Sequence, residues 1–175
     1  MTDESSPARN ARDRWEADRT TFQRVYDVLA GTTEPTTAQQ FADRASCSEN
    51  GARQALEQLV EMGIATQSGE RPVRYRRNQS YFRWKRVETL AREHDPNDLR
   101  ERLDDLLETD RAFQDAYGVP APDAVVVTDE SVDDHDAIHD RWDDLTEWRT
   151  VRRDLTLVQR ALQRAESFGD DRVQV

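Results

Sequence analysis

Residues 36–78 constrain the fold more than any other part of the chain. The stretch reads TTAQQFADRASCSENGARQALEQLVEMGIATQSGERPVRYRRN. Its spacing predicts two short helices joined by a tight turn, then a β-hairpin. The first helix opens at Thr36 or Thr37. Thr37 with Gln40 forms a capping box, which satisfies orphan backbone donors at a helix start. Phe41 and Ala42 give this helix an apolar face. RASCS reads as the turn. Ser48 suits the N-cap of the second helix, with Ser46 and Glu49 as a competing box. Ala52, Leu56, Leu59, Val60 and Met62 then recur at helical spacing. Gly63 ends the run, because glycine accepts a left-handed residue cheaply.

The opposite face of the second helix, 48–62, carries Glu49, Asn50, Arg53 and Gln54. These side chains match the donor and acceptor code of a DNA major groove: Arg reaches guanine bidentately, and Asn or Gln reaches adenine. Recognition helices contact bases mainly through their leading residues, where these four lie. Gly51 beside them lowers helix propensity, and a close approach to a sugar-phosphate backbone would account for it. In the hairpin, 64–77, Ile64–Thr66 and Val73–Tyr75 read as strands and Ser68–Glu70 as the turn. Val73 and Tyr75 point one way, Arg74 and Arg76 the other. Such a ribbon, with one arginine face, is suited to lie on phosphates. Together these pieces read as a winged helix-turn-helix.

Charge supports that reading. Between Arg71 and Val87 stand seven cations (Arg71, Arg74, Arg76, Arg77, Arg83, Lys85, Arg86) and no carboxylate, in a chain of net charge −11. A concentrated basic stripe on an acidic protein is the footprint expected of a polyanion partner. The bland alternative is a solvated face pairing with the acidic helices that follow. Residues 88–147 hold 20 acids against five cations, which would keep that segment away from a duplex.

The stretch from Arg19 to Asn78 resembles winged-helix domains of the ArsR/MarR type, on the TTAQQFADRA helix, the CSENGARQALEQLVEMGIA helix and the wing. The whole chain is similar to a family of haloarchaeal winged-helix proteins regarded as transcriptional regulators. There the similarity extends to AYGVPAPDAV (residues 116–125) and RRDLTLVQRALQRAESF (residues 152–168). The resemblance implies a mainly α fold with a small β-wing, acting as a sequence-specific regulator on double-stranded DNA. On this reading Asn50, Arg53 and Gln54 read bases, and Thr37, Ser48, Arg71, Arg74 and Arg76 hold phosphates. Gln39, Glu49 and Arg77 complete the interface.

Composition adds a setting. Hydrophobic and charged residues each make up 35% of the 175 residues, the pI is near 4.8, and Lys85 is the one lysine among 25 basic residues. Acid surplus with scarce lysine favours a salt-rich cytoplasm over an ordinary acidic protein. At about 1 M salt the Debye length is about 3 Å, so binding there must rest on direct contacts, and arginine forks supply them. The single cysteine, Cys47, excludes an internal disulfide framework. No apolar run spans a bilayer and no signal peptide is visible. The expected location is cytoplasmic, without membrane association.

Along the chain, 1–18 reads as a partly disordered tail, with Trp15 at the start of a helix. Phe22, Val25, Tyr26 and Leu29 form the first helix of a domain spanning 19–78. Connecting helices follow over 79–117. Tyr81, Trp84, Val87 and Leu90 or Ala91 form the stripe of the first. Asn97 caps the second, lined by Leu99, Leu103, Leu106, Phe113 and Tyr117. A linker covers 118–131, in which Ala124–Val127 is either a strand or a helical turn. From 132 to 168 runs one long helix, and 169–175 is a tail. Ile138, Trp142, Leu145, Trp148, Val151 or Arg152, Leu155, Val158, Leu162 and Ala165 step by threes and fours along it. That is a coiled-coil-like seam, and an uncovered stripe of this size is a liability in a monomer. It predicts a homodimer through Trp142, Leu145, Trp148, Leu155, Val158 and Leu162. The competing reading folds this helix back on the helix at 97–117.

Other chemistry is sparse. His135 and His139 stand four apart among aspartates, the spacing of a metal pair. ArsR-type resemblance makes a metal effector thinkable, but no second ligand cluster accompanies them and a solvated face is preferred. Cys47 sits where such turns hold a small apolar residue, so packing is preferred to redox sensing. There is no Gly-rich phosphate loop, Ser-His-Asp context or HExxH. No enzyme activity and no cofactor are expected. The alternative to a regulator is a winged-helix module that binds proteins without specific DNA binding.

Overall fold

In the computed structural model, which describes residues 7–125 and 135–173, helices begin where the sequence supplies capping side chains. In the first unit, Met1–Phe82, α1 covers Pro7–Asp18, α2 Thr21–Gly31, α3 Ala38–Ala45 and α4 Glu49–Glu61. Thr20 and Gln23 form a reciprocal capping box on α2, and Thr37 and Gln40 do the same on α3. Ser48 caps α4, its hydroxyl accepting from Gly51 N at 3.1 Å. Ser46 takes a different part: it closes α3 in the left-handed region, at φ 49°. Hydroxyl caps of this kind replace the helix partners that the first amides lack.

Apolar residues at helical spacing put one face of each helix inside. Val25 and Leu29 of α2, Phe41 and Ala45 of α3, and Ala52, Leu56 and Leu59 of α4 share one buried core. Met62 does not join it. The sequence placed Met62 on the apolar stripe of α4, but it is the helix C-cap and 61% exposed. Ala55, absent from that stripe, is buried instead. Gly63, at φ +72°, then turns the chain into the hairpin.

The hairpin strands are β2 (Ala65–Ser68) and β3 (Arg74–Arg77), joined by a third, β1 (Thr36–Thr37). The sheet is antiparallel in the order β1-β3-β2, with Tyr75 opposite both Thr36 and Gln67. A strand of two residues leaves no alternation to read, which is why β1 had no sequence signal. The fold is mainly helical with this small sheet, as expected. The stretch read as a tail differs, because α1 occupies Pro7–Asp18. Trp15 Nε1 donates to Asp27 Oδ2 of α2 at 3.1 Å.

Helix α5 (Gln79–Glu93) starts in the first unit and ends in the second, Arg83–Val175. The second unit also holds α6 (Pro96–Tyr117), a 3-10 turn at Pro122–Ala124 and α7 (His135–Val173). The cap of α6 is Asp95, whose carboxylate accepts from the amides of Asn97 and Asp98. Asn97, expected in that place, is the second residue of the helix. The segment read as either strand or helical turn begins inside the 3-10 turn; residues 126–134 lie outside the described part.

Helices α6 and α7 run antiparallel. Arg100 bonds Glu166 at 2.6 Å near one end, and Tyr117 bonds Asp144 at 2.7 Å near the other. Their contact covers most of the expected seam within one chain. Leu145, Trp148, Leu155 and Val158 are buried within a single chain, and Leu162 packs half-buried on the cluster of Leu99, Ala161 and Ala165. The physical reason is length: α6 runs for 22 residues and covers the seam from Leu145 to Ala165. Of the six seam residues only Trp142, at 52%, is exposed. The middle of this interface is polar. Asp110, 6% exposed, accepts from Trp148 Nε1 at 2.7 Å and Gln114 Nε2 at 2.5 Å, with Arg152 Nε 3.3 Å away. Phe113 and Tyr117 stack on the same indole, with ring centroids 5.7 and 5.9 Å away.

Two outcomes follow for this unit. Trp148→Phe keeps the stacked ring but takes one donor from a buried carboxylate, and should cost about 1–3 kcal/mol in chemical unfolding. The Tyr117 phenol is pushed up to about 12, first by burial and then by its bond to Asp144. The folded chain therefore holds this proton more tightly than the unfolded chain does. Its contribution is complete below the ordinary tyrosine value of about 10 and is lost as pH rises from there toward 12. The thermal midpoint should fall across that window, and Tyr117→Phe should remove part of the fall.

Candidate nucleic-acid interface

A groove of about 480 Å³ opens in the first unit between the start of α3, the outward face of α4 and the hairpin loop. Thr37, Gln39, Glu49, Arg53 and Arg71 line it, so five of the residues singled out in the sequence meet there. They converge because the shared core fixes α4 against α3 while the hairpin folds back over both. Glu57, Glu70 and Tyr75 line the same groove, and none of these was expected in an interface. Glu57 could have been found, since it stands four residues beyond Arg53 on the same helical face. Glu70 and Arg71 arrive through the hairpin loop, whose path the sequence does not reveal.

Arg53 does not stand alone: its guanidinium is paired with Glu49 one turn earlier, with both side chains about half exposed. The Tyr75 phenol is raised above its usual value by burial and by the Glu57 carboxylate, with Arg53 pulling it back down. Two guanidiniums and three carboxylates share the wall, so a free anion gains little there. Such a mixed wall of donors and acceptors suits base edges, where Arg pairs with guanine and Glu accepts from the cytosine amino group.

The other expected contacts fall outside the groove. Asn50 and Gln54 are exposed on α4. Arg74 and Arg76 are exposed on β3; Arg76 Nε donates to Thr66 Oγ1 at 3.3 Å and Arg74 Nη1 to Pro35 O at 3.5 Å. The hydroxyls of Thr37 and Ser48, read as phosphate contacts, are engaged as helix caps. Arg77 departs furthest from its expected role. It is half-buried and donates to Ala30 O at 2.9 Å, with its guanidinium 5.9 Å from the Phe82 ring centre. Ala30 is in the last turn of α2, where unpaired carbonyls attract a cation, so Arg77 serves the fold. Gly51 also has an internal explanation. A Cβ there would come 3.1 Å from Ser48 Oγ and 3.4 Å from Thr21 Cγ2, so a side chain at this position would crowd the hydroxyl that caps α4, with or without nucleic acid.

Residues 19–166 match a family of unknown function (DUF7342). The chain belongs to that family. No curated protein and no solved structure matches it. Within the family's span lie the groove, the hairpin, α6 and most of α7, whereas α1 precedes it.

His139 is exposed on α7, and the side chain of His135 lies outside the described residues. Among the described residues no group of three His, Cys, Asp or Glu side chains could hold a metal ion. Cys47 is half-buried against the core of the first unit, and burial pushes its thiol up. No described helix is long and apolar enough to cross a membrane. The basic stripe is divided: Arg71, Arg74 and Arg76 are exposed in the first unit, while Arg83, Lys85 and Arg86 are exposed on the part of α5 that belongs to the second.

The α4 cap gives a direct check on how the reading face is held. Ser48→Ala removes the acceptor for Gly51 N and should cost about 1 kcal/mol of stability in thermal unfolding.

Proposed function

We propose that the first unit is a winged helix-turn-helix and that the protein is a sequence-specific regulator of transcription binding double-stranded DNA. The observation that carries this reading is the groove shared by α4 and the hairpin, with Arg53 and Arg71 inside it and Arg74 and Arg76 exposed on the neighbouring strand. In this reading α4 enters the major groove by its leading end, where Asn50, Arg53 and Gln54 meet base edges. The hairpin lies on the backbone, its exposed arginines positioning rather than discriminating. Association of two copies belongs to the proposal on a narrower basis than the seam offered, since α6 covers most of that stripe.

A second reading has its own support. Glu57 and Glu61 are also exposed on α4, and together with Glu49 and Glu70 they make this surface acidic enough for a basic protein partner. A module of that kind would retain the fold without a preferred duplex.

Selection from a random duplex pool, followed by anisotropy titration at fixed salt, separates the two. The regulator reading expects a preferred site with two-fold symmetry. Arg53→Ala should cost about 1–3 kcal/mol on that site and relax preference at one position. Replacing Arg74 and Arg76 by Lys should weaken all duplexes alike despite unchanged charge, because the guanidinium fork is lost. An unenriched pool would exclude the regulator.

A further inference from the structure

Helix α1 lies before the stretch matched by the family, yet it is bonded to the turn that leads into α4. Its contacts run to the turn between α3 and α4 and to α2. Arg12 Nη2 donates to Ser46 Oγ at 2.6 Å, and Arg12 Nε pairs with Glu16 Oε1 at 2.9 Å. Trp15 is tied to Asp27, and Arg24 Nη1 donates to the Glu16 carbonyl at 3.4 Å. Ser46 and Arg12 hold the Glu16 carboxyl below its usual range, Ser46 having the larger effect.

Ser46 is an unusual residue to fasten. Among the described residues it is the non-glycine position with positive φ. Left-handed backbone is unfavourable for an L-residue and persists only where its surroundings impose it. One residue, Cys47, separates Ser46 from the α4 cap at Ser48. The conformation of Ser46 therefore shapes the turn that leads to the first residues of α4, whose axis the shared core fixes. Cys47 N donating to Ala42 O at 3.1 Å is the neighbouring backbone tie.

We infer that α1 is a brace on the α3–α4 turn, and that Arg12 is a positioning residue that acts on α4 through Ser46. Its consequence for DNA rests on the proposed function; its effect on the turn does not. Arg12 keeps Ser46 in its left-handed state, and the leading end of α4 is thereby held in place. Without the brace the turn opens locally while the core of α2, α3 and α4 stays formed.

Cys47, the single cysteine, reports on this turn in the full chain. A water-soluble disulfide reagent labels its thiol at a rate set by local opening. Arg12→Ala should raise that rate about fivefold, the factor expected for one net hydrogen bond, and should lower the folding equilibrium constant by no more than the same factor. Arg12→Lys, which keeps a donor, should fall between. Trp15→Phe, which frees α1 from Asp27 while keeping an aromatic ring, should also accelerate labelling. Unchanged labelling in Arg12→Ala overturns the brace. On a duplex the wild type prefers, Arg12→Ala should bind several-fold more weakly with the same preferred sequence. Equal affinity despite faster labelling overturns the positioning role. A wild type that binds no duplex overturns the proposed function alone, and the brace is still judged by the labelling rate.

Discussion

Burial of Tyr75 governs the geometry of the candidate interface. Tyr75 is 3% exposed and stands in the middle strand, opposite Thr36 on one side and Gln67 on the other. Strand side chains alternate with a period of two, so placing this ring in the core turns Arg74 and Arg76 outward. A slip of one residue would bury two guanidiniums and expose the tyrosine, and desolvating those charges makes such a slip prohibitive. The same ring forms part of the groove wall beside Arg53 and Glu57. One apolar contact thus sets strand register, arginine exposure and the shape of the groove.

That contact works because the helices beneath it are fixed. Phe41, Leu56 and Leu59 are fully buried, so α4 cannot rotate about its axis without exposing them. Its outward face, from Glu49 to Glu57, is held by what lies on its inward one. The hairpin base is closed by Asn78, whose amide groups bond Ile64 and Gly63 and whose side-chain oxygen accepts from Ser80 N at the start of α5.

Local chemistry was legible in the sequence where it was repeated or had a single solution. The Thr37–Gln40 box, the Ser48 cap and the alternation around Tyr75 could all be read, because each depends on neighbours in the chain. Pairings between distant segments could not. Strand β1 is too short to show a period, Arg77 turns to a helix end 47 residues away, and Glu70 and Arg71 reach the groove through a loop. The spacing along α7 marks an apolar seam, and most of it is covered within the chain. A stripe records that something must cover it, not what does, and Leu99, Leu103 and Leu106 of α6 were already at hand. The buried polar cluster on Asp110 had no sequence signal, since one aspartate among many in an acidic helix looks solvated.

The central claim is that the leading face of α4 and the adjacent hairpin form one surface that meets a duplex. Photo-crosslinking the full chain to its preferred duplex, with the attached residues mapped by mass spectrometry, tests it most directly. The account predicts attachment within residues 49–54 and 70–76. Attachment confined to residues 83–175, or none within α4 and the hairpin, would contradict it.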